Sequence, residues 1–276
     1  MHPQAKVVLV EIVLLAAFSL NCWASSDIPH NGLLARANEQ FAKRDYTEKG
    51  ISWAQDARYN YDRVVTRQKG NIVGIFAAAR KAEASHFLAT ASPSIKRKKQ
   101  LYLQSFSDAE RSLKYLYKQY GKNLTNLPAF TQKVYTDLVY YWAKNLRGWV
   151  SVTRGRDSRH WKTIIKRFKK ANSFGYQYLN HYGINLLLST KKRADGKLIT
   201  EAFNQTKIKG GTISRSGLIN LAYSDYLYKT GSKPEAIKII KEFLKYKPEQ
   251  LAIDIIPENR RALVQAQERL TGWGVN

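Results

Sequence analysis

Apolar residues recur at helical spacing along most of this chain. Nowhere do they alternate over a run long enough to suggest a half-buried strand. The pattern is most complete between Leu218 and Gln250. Leu218, Leu221, Ala222 and Tyr226 share one helical face, and Gly231 can enter a left-handed C-cap. Ser232, with Pro234 in the first turn, opens a second helix. Ala236, Ile237, Ile240, Phe243 and Leu244 form its apolar stripe, and Pro248 ends it. If Gly231 is the turn glycine of a helical repeat of about 34 residues, then Ala236, Ile240, Phe243 and Pro248 take the small, large, packing and closing positions of a tetratricopeptide unit. Ser224 is suitably small for the first helix, although no tryptophan or leucine-glycine pair precedes it. An ordinary helical hairpin is the other reading of the same spacing.

The same period predicts earlier helices over 31–45, 50–66, 72–91, 97–119, 129–152, 158–171, 174–189 and 197–206, and a closing one over 258–271. The third is rich in alanine (Ala77, Ala78, Ala79, Ala82, Ala84, Ala89), which suits an inner layer but also reflects high helix propensity. Long helices alternate with short turns, and no Pro/Gly/Ser-rich linker divides them. The expected fold is all-α: stacked helical hairpins in a tetratricopeptide-like α-solenoid, forming one domain over 25–276. Hydrophobic residues at 44% and aromatics at 12% supply a core and argue against disorder.

The N-terminus has the pattern of an export signal. Lys6 precedes an apolar run from Ile12 to Leu20, and cleavage after Ala24 is expected. Glu11 marks the end of the charged section. The lone cysteine, Cys22, sits where a lipid-modified residue belongs, but Ser19-Leu20-Asn21 lacks the usual leucine-small-small pattern. A cleaved periplasmic protein and one anchored through Cys22 both remain open. Neither form has an internal disulfide.

Export changes how the net charge of +25 is read. It turns attention from nucleic acid to anionic membrane lipid, acidic polymers or an acidic protein. The cations cluster at Lys96-Arg97-Lys98-Lys99, from Arg154 to Lys170, and at Lys191-Lys192-Arg193, mostly at helix ends where solvation alone accounts for them.

One helix carries a candidate site. Tyr135, Leu138, Trp142, Asn145 and Trp149 follow one another at three, four, three and four residues, so they share a face, with Tyr141 and Leu146 on its flanks. An asparagine among large aromatics is either tied to backbone within the core or turned toward a cavity holding a polar group. In the second case Tyr135, Leu138, Tyr141, Trp142, Asn145 and Trp149 wall an apolar pocket with one polar anchor.

The segment Tyr141-Trp142-Ala143-Lys144-Asn145-Leu146-Arg147-Gly148-Trp149 resembles a motif of the TatT component family, periplasmic helical proteins associated with TRAP transporters. The ending is similar too: Ile256-Pro257-Glu258-Asn259, then Ala262 and Leu270. Arg147 before the glycine departs from that pattern. The resemblance implies hidden tetratricopeptide-like repeats, a homotrimer, a hydrophobic channel or pocket for an apolar solute, either anionic or neutral, and a TRAP-type solute-binding protein as partner. A generic scaffold of cell-envelope assembly that recognises an acidic partner is the alternative.

No catalytic set stands out. The five histidines are scattered. Glu83 and His86, three apart on a helix, can pair at its surface but fall short of a metal site. Lys209-Gly210-Gly211-Thr212-Ile213-Ser214-Arg215 could cradle an anion, yet it lacks P-loop spacing and reads as a flexible loop. The expectation is a binding protein with no cofactor, not an enzyme.

Overall fold

The computed structural model describes residues 32–122, 124, 126–153, 161–174 and 196–275. The leader, Cys22 and nearly all of the helix expected over 174–189 lie outside these residues. The described residues form ten α-helices: α1 (Gly32–Ala42), α2 (Glu48–Arg67), α3 (Ile72–Ala91), α4 (Ile95–Tyr120), α5 (Ala129–Thr153), α6 (Trp161–Asn172), α7 (Gly196–Asn204), α8 (Gly217–Lys229), α9 (Lys233–Phe243) and α10 (Ile256–Gly272). Helices adjacent in sequence pack as neighbours from α1 to α6, and again from α7 to α10. Among the described residues there is no strand, only an isolated bridge between Lys207 and Ser214. The chain is an all-α stack of helical hairpins.

Side-chain caps fix three helix starts that hydrophobic spacing leaves vague. Thr47 accepts from the Gly50 N–H, Asn71 from Gly74 and Ser94 from Arg97, each relieving one orphan donor of a first turn. Helix α3 is the centre of the stack and is buried nearly all round. Its alanines let α2, α4 and α5 approach closely, because interaxial distance follows side-chain size at the contact. Polar ties add register. Lys81 Nζ on α3 donates to Asp62 of α2 and Asp108 of α4, both at 2.6 Å. Arg58 reaches from α2 to Ser85 and Gln104.

The α8–α9 hairpin turns as its sequence implies. Gly231 adopts φ of 100°. Ser232 N donates to Leu227 O at 2.9 Å and Gly231 N to Tyr228 O at 3.4 Å, a Schellman closure. Ser232 holds the N-cap position of α9, but its hydroxyl makes no capping bond. Pro248 opens a short 3-10 turn after α9 has ended.

Helix α8 differs from the single stripe expected of it. Its buried residues are Gly217, Ile219, Asn220, Leu221, Tyr223, Ser224 and Leu227, which lie on two sides, while Leu218, Ala222 and Tyr226 are half-buried. The reason is position. Leu221 joins Ile240, Phe243 and Ala262 in a small second core, whereas Ile219, Tyr223 and Leu227 belong to the main one.

Helix α10 brings the end of the described chain back to its beginning. Glu258 accepts from the Arg44 guanidinium at 3.3 Å, and Arg261 donates to the Thr90 carbonyl at 2.8 Å. The loop before α8 is a hydrogen-bonded turn: Gly211 N donates to Ile208 O, Ile208 N to Ile213 O and Arg215 N to Thr206 O. Ser214 N donates to Asn220 Oδ1. Gly211, Ser214 and Arg215 thus spend their N–H groups within the chain, which leaves these three none for the anion cradle weighed from the sequence.

Candidate binding site on the aromatic helix

Helix α5 meets three neighbours, and the six candidate residues divide among them. Trp142 faces α4 and α6. With Leu146 one turn on, it walls a solvent-open cavity of about 580 Å³ whose other sides include Phe106, Arg111 and Lys114 of α4 and Arg167 of α6. Trp149 continues on that side, its ring edge-on to Phe106 at 5.7 Å. Tyr135 and Leu138 are buried. Tyr135 packs edge-on against Tyr117 and Phe174. Burial, followed by the Tyr117 phenol, pushes its pKa far above the usual range.

Asn145 and Tyr141 turn toward α3. The Asn145 amide donates to Ala82 O on α3 at 3.0 Å and to Tyr141 O at 2.8 Å. Ser105 of α4 donates to the same Ala82 carbonyl, so one acceptor joins three helices. Of the two roles weighed for this asparagine, the backbone tie is the one formed. The buried His86 imidazole is its remaining side-chain hydrogen-bond partner.

The charges around this interface sort by environment. Glu83 pairs with Arg80 instead of His86. Burial opposes the Glu83 charge, but Arg80 and then Arg44 outweigh it and hold the carboxyl below its usual value. Tyr141 is pushed well above a normal phenol by burial and then by Glu83. His86 is driven well below a normal imidazole by burial and then by the Lys144 charge, so it is neutral. The surface Glu83–His86 pair expected from spacing is therefore replaced by a buried Arg80–Glu83 pair and a neutral imidazole.

Arg167 organises the cavity. Its two terminal nitrogens donate to both oxygens of Glu110 at 2.6 and 2.9 Å, and its guanidinium lies 4.2 Å from the Trp142 ring. The fork-to-fork pair fixes the side chain, and the ring adds a cation–π contact. Burial disfavours its charge, while Glu110 raises its pKa back above the ordinary value. Sequence reasoning missed this residue because it sits in a basic run read as solvated surface. Phe106, Glu110 and Lys114 recur every four residues on α4, a signal of a second functional face that hydrophobicity alone does not weight.

Both family-like segments also have packing roles. A Cβ on Gly148 would lie 2.5 Å from the Tyr102 ring, so the glycine admits α4. At the chain end Asn259 Oδ1 accepts from Gly217 N at 2.8 Å and so caps α8, while a Cβ on Gly217 would stand 2.5 Å from that of Ala262.

These features define a helical-hairpin protein with an aromatic cavity open to solvent. Comparison with protein-family models, curated proteins and solved structures finds no match to this chain. Among the described residues no group of three or more His, Cys, Asp or Glu could hold a metal ion, and no helix is long and apolar enough to cross a membrane.

Proposed function

We propose that the chain binds a small amphipathic anion in the Trp142 cavity and serves as a TatT-like periplasmic accessory of a TRAP-type transport system. The observation that carries the reading is the cavity itself. Trp142, Leu146 and Phe106 offer an apolar wall, and Arg167 is held by Glu110 against the indole. Arg167 is neutralised, so the free positive charge at the mouth comes from Lys114 and Arg111. Arg111 reaches only Asp108, at 3.8 Å, and Lys114 forms no ion pair with a described residue. An apolar body against the indole and an anionic head at this rim match that layout. A volume of about 580 Å³ suits a small guest, since such sites span about 300–1,000 Å³.

Calorimetric titration with dodecanoate, and with dodecyltrimethylammonium as its cationic counterpart, tests the reading. The anion is expected to bind and the cation to fail. The surface double variant Arg111→Glu with Lys114→Glu is expected to weaken dodecanoate by at least about tenfold, on the scale of two rim charges. Equal binding of both probes, or an unchanged double variant, contradicts the reading. The transport role rests on the resemblance. Its test is retention of a TRAP-type solute-binding protein on the immobilised chain, with a trimer mass by light scattering. A strict monomer that retains none counts against it.

A further inference from the structure

A second pocket lies on another edge, away from the Trp142 cavity. The α1–α2 turn, the end of α3 and the first turns of α10 enclose about 530 Å³. Pro257, Arg260, Arg261 and Val264 line it from one face of α10, opposite Tyr46 and Ala91. Arg261 is held there in a set orientation. One terminal nitrogen donates to Thr90 O at 2.8 Å, and the guanidinium stacks 4.8 Å from the Tyr46 ring. No carboxylate pairs with it among the described residues, so the rest of its fork is free. Asp45, the acid in the lining, already accepts from the Thr47 amide and hydroxyl.

The same edge continues into α4. Ile95 lies four residues beyond Ala91 and is 61% exposed; Val264, in the pocket wall, is 60% exposed. Lys96, Arg97, Lys98 and Lys99 follow Ile95, and none is in an ion pair with a described residue. No acidic residue offsets them in that first turn. Cations at a helix N-terminus are repelled by the macrodipole, so the fold tolerates this cluster at a cost. Outward from it Ile95, Lys99 and Leu103 form a row at i, i+4 and i+8, and Leu103 is 44% exposed.

From this arrangement we propose that the edge formed by Ile95–Lys99, Val264 and the Arg261 pocket docks on an anionic phospholipid bilayer, with one phosphate headgroup received by Arg261. Aliphatic residues set among unpaired cations match the boundary between acyl chains and headgroups, where lysine and arginine stems lie along the apolar zone and their charges meet phosphate. Arg260 in the same wall is paired with Glu249, so the Arg261 fork, set among Tyr46, Ala91, Pro257 and Val264, is the one that can take a headgroup. The chain docks on the surface through this edge and does not span the bilayer.

Sedimentation of the purified full chain with two kinds of vesicle tests this: phosphatidylcholine alone, and equal parts phosphatidylcholine and phosphatidylglycerol. The anionic vesicles are expected to bind preferentially, with binding that falls as salt rises. Replacing Lys96, Arg97, Lys98 and Lys99 together by glutamine alters a run of which only Lys98 is half-buried, and is expected to weaken binding on the order of a thousandfold. Ile95→Ser and Arg261→Gln are each expected to weaken it severalfold, with thermal unfolding recorded for both to confirm that they fold. Equal binding to the two vesicle types, or an unchanged four-glutamine variant, overturns the proposal. So does capture of an acidic protein by this edge without any binding to vesicles.

Discussion

The Asn145–Gly148 segment of α5, set against α3 and α4, and the Asn259–Gly217 contact between α10 and α8 are built from the same two residue types, and they differ in what those residues meet. At α8–α10, Asn259 both accepts from Gly217 N and donates to Ala252 O, and Gly217 sits where a side chain would strike Ala262 and Phe243 together. Along α5, Asn145 donates to one carbonyl of α3 and one of its own helix, and Gly148 makes room for the Tyr102 ring of α4. The first junction seats Gly217 against both α9 and α10. The second sets Asn145 beside a neutral imidazole, and the adjacent side of the same helix, where Trp142 stands, opens into the cavity. A motif-like segment can therefore serve helix packing and a cavity wall at once, because a helix turns different residues to different neighbours.

The glycines carry the largest expected effects at the two junctions. Gly217→Ala puts a methyl against a backbone-anchored alanine and a buried ring, and about 3 kcal/mol of destabilisation is expected. Gly148→Ala strikes the buried ring of Tyr102, a side chain with no backbone atom among the nearest contacts, so a smaller loss of about 2 kcal/mol is expected. Urea midpoints of both variants read the difference, and equal losses would erase it.

The asparagines follow. Asn259→Ala leaves the Gly217 N–H buried without an acceptor and is expected to cost about 2 kcal/mol. Asn145→Ala removes a donor from two carbonyls inside helices, and about 1 kcal/mol is expected. A larger loss at Asn145 than at Asn259 in the same urea series would reverse the ranking of the junctions.

The smallest effect is a pH slope confined to α3–α5. His86 has its pKa lowered by burial and then by Lys144, so the unfolded chain protonates it near its ordinary value of about 6.5 while the folded chain still excludes the proton. The unfolded state binds more protons below that pH, so this group's contribution to stability falls as the solution is acidified. His86→Gln is expected to flatten the fall by at most about 1.4 kcal/mol per pH unit. Urea midpoints at pH 7.5 and 5.5 check this, and a wild type and variant with parallel slopes would contradict it.

Much of the helical order was legible because it rests on local chemistry. The alanine-rich helix runs over 72–91 as expected, and Gly231 closes α8 as its sequence implies. The tertiary partners were not legible. Nothing in the spacing of α8 reveals that it is covered on two sides. Arg44 and Glu258 stand 214 residues apart, beyond the reach of any local pattern. At the site, the face shared by Trp142 and Trp149 was readable from their spacing. The buried Arg167–Glu110 pair was not, because a charged residue inside a basic run looks the same whether it is solvated or clamped.

The central claim is that the Trp142 cavity holds an amphipathic anion. Its most direct test is native mass spectrometry of the protein purified from its own host, followed by extraction of whatever it retains. The expected result is a small anionic, apolar-bodied molecule on the wild type that is lost from the variant carrying Arg111→Glu and Lys114→Glu. A wild type that carries no guest, or a guest retained undiminished by that variant, would contradict the account.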